Sequence, residues 1–291
     1  KKLGVPVTVV MPKNAPLTKI NRCRTMGANV ILHGEHIGEA REYAYSEHPS
    51  LKYINGYNDI EIVAGAGTTG IEILEQVPDC DVVVCPVGGG GLIAGLSLAV
   101  KTLQPECLVI GVEPENCASF KAALAAGEPV NAFKGPTLAD GLAVPVVGDI
   151  SFKIARRHVD DTVVINETSI AIALLRLLEV EKIVAEGGGG AGLAAILPGG
   201  PLYRKFEGKN VVIPLCGGNI DVTTMARVID CGLAADSRLV RFGVTVSDRP
   251  GGIAALSAII HDLGVSIKDI YHERAWTGDM SKVRVKCVVE T

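Results

Sequence analysis

Short apolar runs alternate along most of the chain with longer stretches whose apolar positions recur at helical spacing. Segments 5–10, 30–32, 82–87, 108–113, 162–165 and 210–215 read as strands, and 17–26, 35–47, 71–76, 92–102, 117–125, 170–179 and 223–231 read as helices. Alternation of this kind predicts an α/β fold, a parallel sheet with helices on both faces. Ligands of such sheets lie beyond the carboxyl ends of the strands. Three glycine-rich segments are expected there as turns: VGGGG at 87–91, EGGGGAG at 186–192 and CGGN at 216–219. After Ala235 the pattern changes to a strand, an Asp-Arg-Pro-Gly-Gly turn, an amphipathic helix over 253–263 and two further strands. This predicts a separate small α/β unit with its boundary near Asp236. Its last strand, 282–289, is expected to stand unpaired with Val283, Val285, Cys287 and Val289 on one face, inviting association.

The glycine run Gly88, Gly89, Gly90 and Gly91 falls where a valine-rich strand gives way to a helix beginning at Leu92. Side-chain-free residues let main-chain N–H groups turn toward a helix N-terminus, where the dipole favours an anion, and a phosphate is the expected guest. A tight turn alone needs one or two glycines.

Composition narrows the partners. With 291 residues, 48% hydrophobic and 21% charged, the chain can bury a large core. A net charge of -4 offers no basic field for nucleic acid or an anionic membrane. No apolar stretch is long enough to span a bilayer without glycine, proline or charge. The eight cysteines are scattered without a C-x-x-C pair, which suits a reducing, cytoplasmic compartment and argues against zinc. Both ends fall on strands, so the chain is expected to be cut from something longer.

A different enzyme class also fits part of the pattern. Gly89-Gly90-Gly91-Leu92-Ile93-Ala94 satisfies G-x-G-x-x-A after a strand, Glu113 stands where a ribose-binding acid would, and GAGTTG at 65–70 is a second formal match. An NAD-dependent dehydrogenase is therefore an alternative. Against it, the fourth glycine and the two other glycine turns have no role in that scheme, and no acid follows GAGTTG at a strand end.

Taken together, KLGVPVTVVMP, AGAGTTGIEI, PVGGGGLIAG, GVEPENCAS, TLADGLAV and IPLCGGN resemble the serine/threonine dehydratases, fold type II enzymes that use pyridoxal 5'-phosphate. The resemblance runs to about Leu233. The segment from about Arg241 resembles the first half of an ACT regulatory domain. The implied organisation is a catalytic region over 1–235, with a small-domain part over about 1–75 and a large-domain part over 76–235, followed by a partial ACT domain over 236–291. In this reading Gly88 to Gly91 and Leu92 hold the cofactor phosphate, and Cys216 lies at the pyridine nitrogen. Glu113, the Cys117 carbonyl and Ser119 hold a cation; these hard oxygen donors suit K⁺, Na⁺ or Mg²⁺. The implied reaction is deamination of L-threonine to 2-oxobutanoate, or of L-serine to pyruvate. A serine racemase is a further alternative, although relatives of that kind tend to carry Asp where Ser119 stands. An amino-acid effector at Asp248, Arg249, Pro250, Gly251 and Gly252 and a homo-oligomer are implied by the ACT resemblance.

The family's Schiff-base lysine, in a Ser-Phe-Lys-x-Arg-Gly type motif, has no match here. SFKIAR at 151–156 imitates it but follows LADGLAVPVVGDI, so Lys153 is read as a solvated helix residue. The substrate-carboxylate loop is also unmatched. The expectation is a fragment of a normal dehydratase, with a non-catalytic cofactor-binding pseudoenzyme as the alternative; the chain as it stands is expected to be inactive.

Overall fold

The computed structural model describes residues 3–15, 17–35, 37–274 and 280–291. The chain divides into two compact units, Lys1–Gly56 and Tyr57–Thr291. The first contains β1 (Thr8–Met11), α1 (Leu17–Thr25), β2 (Asn29–Leu32) and α2 (Ile37–Glu47). β1 and β2 pair in parallel, Thr8 opposite Asn29 and Met11 opposite Leu32. The predicted strand at 5–10 starts later because Val5 and Val7 are exposed outside the pairing. Position 36, inside the helix expected over 35–47, lies outside the described residues.

The second unit opens with α3 (Ile60–Gln76), β3 (Val82–Pro86), α4 (Gly91–Leu103), β4 (Leu108–Pro114) and α5 (Ser119–Ala126). It continues through α6 (Asp149–Ala155), β5 (Asp161–Ile165), α7 (Glu167–Arg176), α8 (Gly187–Ile196), β6 (Val211–Val212) and α9 (Val222–Ala235). The strands form one parallel sheet in the order β5-β4-β3-β6. β3 is buried along its whole length and alternates its side chains between two cores. Val83 and Cys85 pack with Ile93, Leu96 and Val100 of α4, Val63 of α3 and Phe120 of α5. Val82 and Val84 face Ile170 and Leu174 of α7 and Ala191 and Ala194 of α8. Sheet faces covered by helices on both sides hold the carboxyl ends of β3, β4 and β6 together at one rim.

Three expectations are corrected here. The helix expected over 71–76 begins at Ile60, where Asp59 caps it by accepting from the Glu61 N–H at 3.1 Å, and it absorbs GAGTTG. Those glycines are therefore not a dinucleotide turn after a strand; they let α3 lie against α4, with Gly67 beside Gly95. Because α3 packs along α4, the unit boundary falls between Gly56 and Tyr57, not near residue 75. The segment 186–192 is likewise no turn. Glu186 is the N-cap and Gly187 to Gly192 form the buried first turns of α8, where close packing overrides glycine's poor helix propensity.

The tail has a sheet and a core of its own. β7 (Leu239–Ser247), α10 (Gly252–Asp262), β8 (Ser266–Glu273) and β9 (Lys282–Glu290) follow the predicted order, and the sheet is antiparallel in the order β7-β9-β8. β9 is thus not an unpaired edge: it hydrogen-bonds to a neighbour on each side. Its apolar face, Val283, Val285, Cys287 and Val289, is buried with Leu256 and Ile260 of α10. The tail remains within the second unit, joined near residue 236 by ion pairs from Arg176 to Asp236 (2.6 Å) and from Arg238 to Glu179 (2.7 Å).

Candidate functional site

The glycine loop sits where the sequence predicts, between the end of β3 and the start of α4. Gly90 is the N-cap of α4 with φ +90, a left-handed backbone that glycine adopts without strain, and no side chain caps the helix. The first N–H groups of α4 lack intrahelical acceptors, so this end is a donor-rich, positive site. The loop is fixed on the outside by Gly148 N–H donating to the Gly89 carbonyl at 3.0 Å. A Cβ on Gly89 would fall inside the ring of Tyr57, and one on Gly90 would lie 2.8 Å from Val147 Cγ2. Tyr57 is held in turn by Ser151, whose hydroxyl donates to the Tyr57 carbonyl. Asn58 Oδ1 accepts from the Ile150 N–H at 2.8 Å.

The loop after β6 comes to the same rim. Cys216 is exposed there, and its neighbourhood is marked by Cys85 on β3, whose thiol is held well above its ordinary value first by burial and then by the charge of Cys216. Glu186, which sequence reasoning missed, ties the N-terminus of α8 to the loop after β6. Its N–H donates to the Gly217 carbonyl at 3.1 Å and its Oε2 accepts from the Asn219 N–H at 3.0 Å. A Cβ on Gly141 would lie 3.1 Å from Glu186 Oε1. The available signal was an acid immediately before a glycine run, hidden because the run was read as a turn.

Glu113 is fully buried at the end of β4. Its carboxylate caps α5, Oε1 accepting from the Phe120 N–H at 2.7 Å and Oε2 from the Lys121 N–H at 2.9 Å. Burial pushes the carboxyl up to about 7, with those two N–H bonds pulling it back. Ser119, also fully buried, has a hydroxyl with no hydrogen-bond partner among the described residues. Cys117 is buried beside them in an isolated bridge with Phe133. A buried acid with spare lone pairs next to an orphaned hydroxyl is a donor set that fits a hard cation. No cluster of three or more His, Cys, Asp or Glu side chains able to hold a metal occurs among the described residues.

Lys153 points to solvent from α6. The atoms nearest the glycines of the three segments belong to Tyr57, Leu138, Leu142, Val147, Leu174, Glu186 and their neighbours, and none to a lysine. Among the described residues no helix is long and apolar enough to cross a membrane.

The sequence profile of the pyridoxal-phosphate dependent enzymes matches residues 1–217, a span that includes the first unit, the glycine loop and Cys216. The chain belongs to the pyridoxal-phosphate dependent enzyme family. Within it, the chain is 44% identical over 274 residues to the L-threonine ammonia-lyase of Thermotoga maritima, covering 94% of this chain and 67% of that protein. It is 37% identical over 228 residues to the catabolic L-threonine dehydratase TdcB of Escherichia coli K12, covering 78% and 69%. Its fold is similar to processed threonine deaminase isoform 2 of Solanum lycopersicum, with TM-score 0.74, 33% identity, and 79% and 67% of the two chains covered. The serine racemase of Dictyostelium discoideum follows with TM-score 0.68 and 31% identity over 75% and 70%. These are fold type II enzymes, so the family cofactor is pyridoxal phosphate and the dinucleotide-dehydrogenase alternative falls. The pyridoxal-phosphate fold fits the loop's chemistry: an open helix N-terminus at a parallel-sheet rim, with polar groups from a neighbouring strand end beside it.

Proposed function

We propose that this chain carries the cofactor-phosphate site of an L-threonine ammonia-lyase, which converts L-threonine to 2-oxobutanoate and ammonia. The observation that carries the reading is the shared rim: the Gly88–Gly91 loop follows β3 at the start of α4, and Cys216 follows the neighbouring parallel strand β6, in a loop bonded to Glu186. Pyridoxal phosphate, when bound, supplies the conjugated ring that takes up the electron pair left at the substrate α-carbon. The N–H groups of Gly88, Gly89, Gly90, Gly91 and Leu92 bind its phosphate dianion. Cys216 would stand at the ring nitrogen, with a thiol that burial holds above its ordinary pKa; a neutral thiol there would leave that nitrogen unprotonated, which suits elimination. Glu186 positions the Cys216 loop through Asn219. With Lys153 in solvent, the residues named here bind and orient the cofactor, and the family's Schiff-base lysine motif has no match among these 291 residues. The test is a product assay on the natural protein at full length, with cofactor and either L-threonine or L-serine. We expect ammonia and 2-oxobutanoate from threonine; interconversion of L- and D-serine without ammonia would establish the racemase reading instead.

Glu113, Ser119 and the Cys117 carbonyl form the cation site in this reading, the unpartnered Ser119 hydroxyl being its support. An ion bound only to the folded state stabilises it by mass action. Potassium chloride is expected to raise the melting temperature by about 3 °C or more over tetramethylammonium chloride at equal ionic strength. Glu113→Gln should abolish that difference, and an undiminished difference would remove the ion from this site. We also read the tail as regulatory and the assembly as a homo-oligomer. At the proposed effector turn, Gly251 caps α10 with φ +97, the Gly252 N–H donates to the Arg249 carbonyl at 3.2 Å, and Asp248 is engaged by Arg274 Nε at 3.0 Å, so an effector there would have the Gly251 N–H more than the Asp248 carboxylate to work with.

A further inference from the structure

The tail's sheet has one face under α10 and one facing away. Strand alternation sends Arg241, Gly243 and Thr245 of β7 and Arg284 and Lys286 of β9 to the outward face, with Gly243 opposite Lys286 and Thr245 opposite Arg284. Gly243 leaves a notch in that face, and the Arg284 guanidinium lies over it: a Cβ on Gly243 would be 3.3 Å from Arg284 Nε and 3.4 Å from Nη2. A cavity of about 300 Å³ lies here, lined by Arg241, Phe242, Gly243, Arg284 and Lys286.

An outward sheet face is ordinarily charged and solvated, so charge alone means little. Several of the tail's cations are paired. Lys286 is engaged by Glu273 at 2.8 Å, Lys268 by Asp230 at 2.6 Å and Arg274 by Asp248 at 3.0 Å. Arg241 and Arg284 alone line the notch with no ion pair or hydrogen bond among the described residues, and the Lys286–Glu273 pair contributes no net charge, leaving the cavity with two positive charges. No carboxylate lines it; the carboxylate at its edge, Glu273, faces Arg284 across the strands and is already engaged by Lys286, which disfavours a free amino acid. Two planar guanidiniums flanking a small cavity match an anion with two or more charged oxygens.

The geometry points to a second binding site on the outward face of this sheet, for a compact multivalent oxyanion of the phosphate or polycarboxylate class, held by Arg241 and Arg284 over Gly243. It is separate from the glycine loop and does not depend on the lyase reading.

Calorimetric titration of the cofactor-saturated chain tests it, using inorganic pyrophosphate and citrate as probes and sodium chloride at matched ionic strength as control. We expect saturable one-site binding of at least one probe, the tighter of the two deciding between phosphate and carboxylate chemistry. Arg241→Gln with Arg284→Gln should weaken it about tenfold or more, with the far-ultraviolet circular dichroism unchanged. A second variant, Gly243→Val, fills the notch while keeping both charges and should also abolish binding. Binding that survives the double arginine substitution, that is lost on Gly90→Val instead, or that sodium chloride reproduces would overturn the assignment.

Discussion

Gly95→Val is expected to cost about 3 kcal/mol or more of folding stability, read as the shift in the urea midpoint multiplied by the slope. Gly95 lies where α4 crosses α3, and a Cβ there would stand 2.6 Å from the Gly67 nitrogen and closer still to the Val63 carbonyl oxygen. Both are backbone atoms of α3, so no side chain can swing aside; the helices must separate. Separation would open the core in which Val63, Ile93, Leu96 and Val100 pack against Val83 and Cys85 of β3. A loss of this size is a large share of the roughly 5–15 kcal/mol that holds a typical domain together. A midpoint shift worth under about 0.5 kcal/mol, the range of an inert surface substitution, would mean that the helices do not approach as closely as described.

Gly90→Val should weaken pyridoxal phosphate about a hundredfold, or about 2.7 kcal/mol, by equilibrium titration. At φ +90 a β-branched side chain is strained. Its Cβ would also press on Val147 Cγ2 at 2.8 Å and Ser151 Cβ at 3.1 Å. Relief requires the peptide on either side of Gly90 to rotate, and the N–H groups at the start of α4 then no longer converge on one anion. The neighbours here are side chains, so the fold is expected to survive, with a melting temperature within several degrees of the parent. Unchanged affinity in a folded Gly90→Val protein would show that the loop does not hold the phosphate.

The parallel sheet, the glycine loop and the element order of the tail were legible because each rests on local pattern: apolar runs of strand length, glycines at a strand end, and alternation in β7 and β9. Three features were hidden by the same glycines. EGGGGAG signals a turn and GAGTTG formally matches a dinucleotide fingerprint, whereas α3 and α8 use these glycines to bring backbones together, a demand set by partners distant in sequence such as Gly95 for α3 and Leu174 for α8. Glu186 was invisible as a site residue for that reason. The pairing of β9 was also beyond reach, since a strand's alternation identifies its buried face but not how many neighbours it has. Glu113 was legible as a strand-end acid, yet its capping of α5 depends on the chain returning seven residues later to present the Phe120 N–H.

The direct test is a comparison of pyridoxal phosphate with pyridoxal, which keeps the ring and aldehyde but lacks the phosphate, titrated into the same protein under the same conditions. If Gly88 to Gly91 bind the cofactor through its phosphate, pyridoxal phosphate binds and pyridoxal is weaker by about a hundredfold; equal affinities for the two would contradict it.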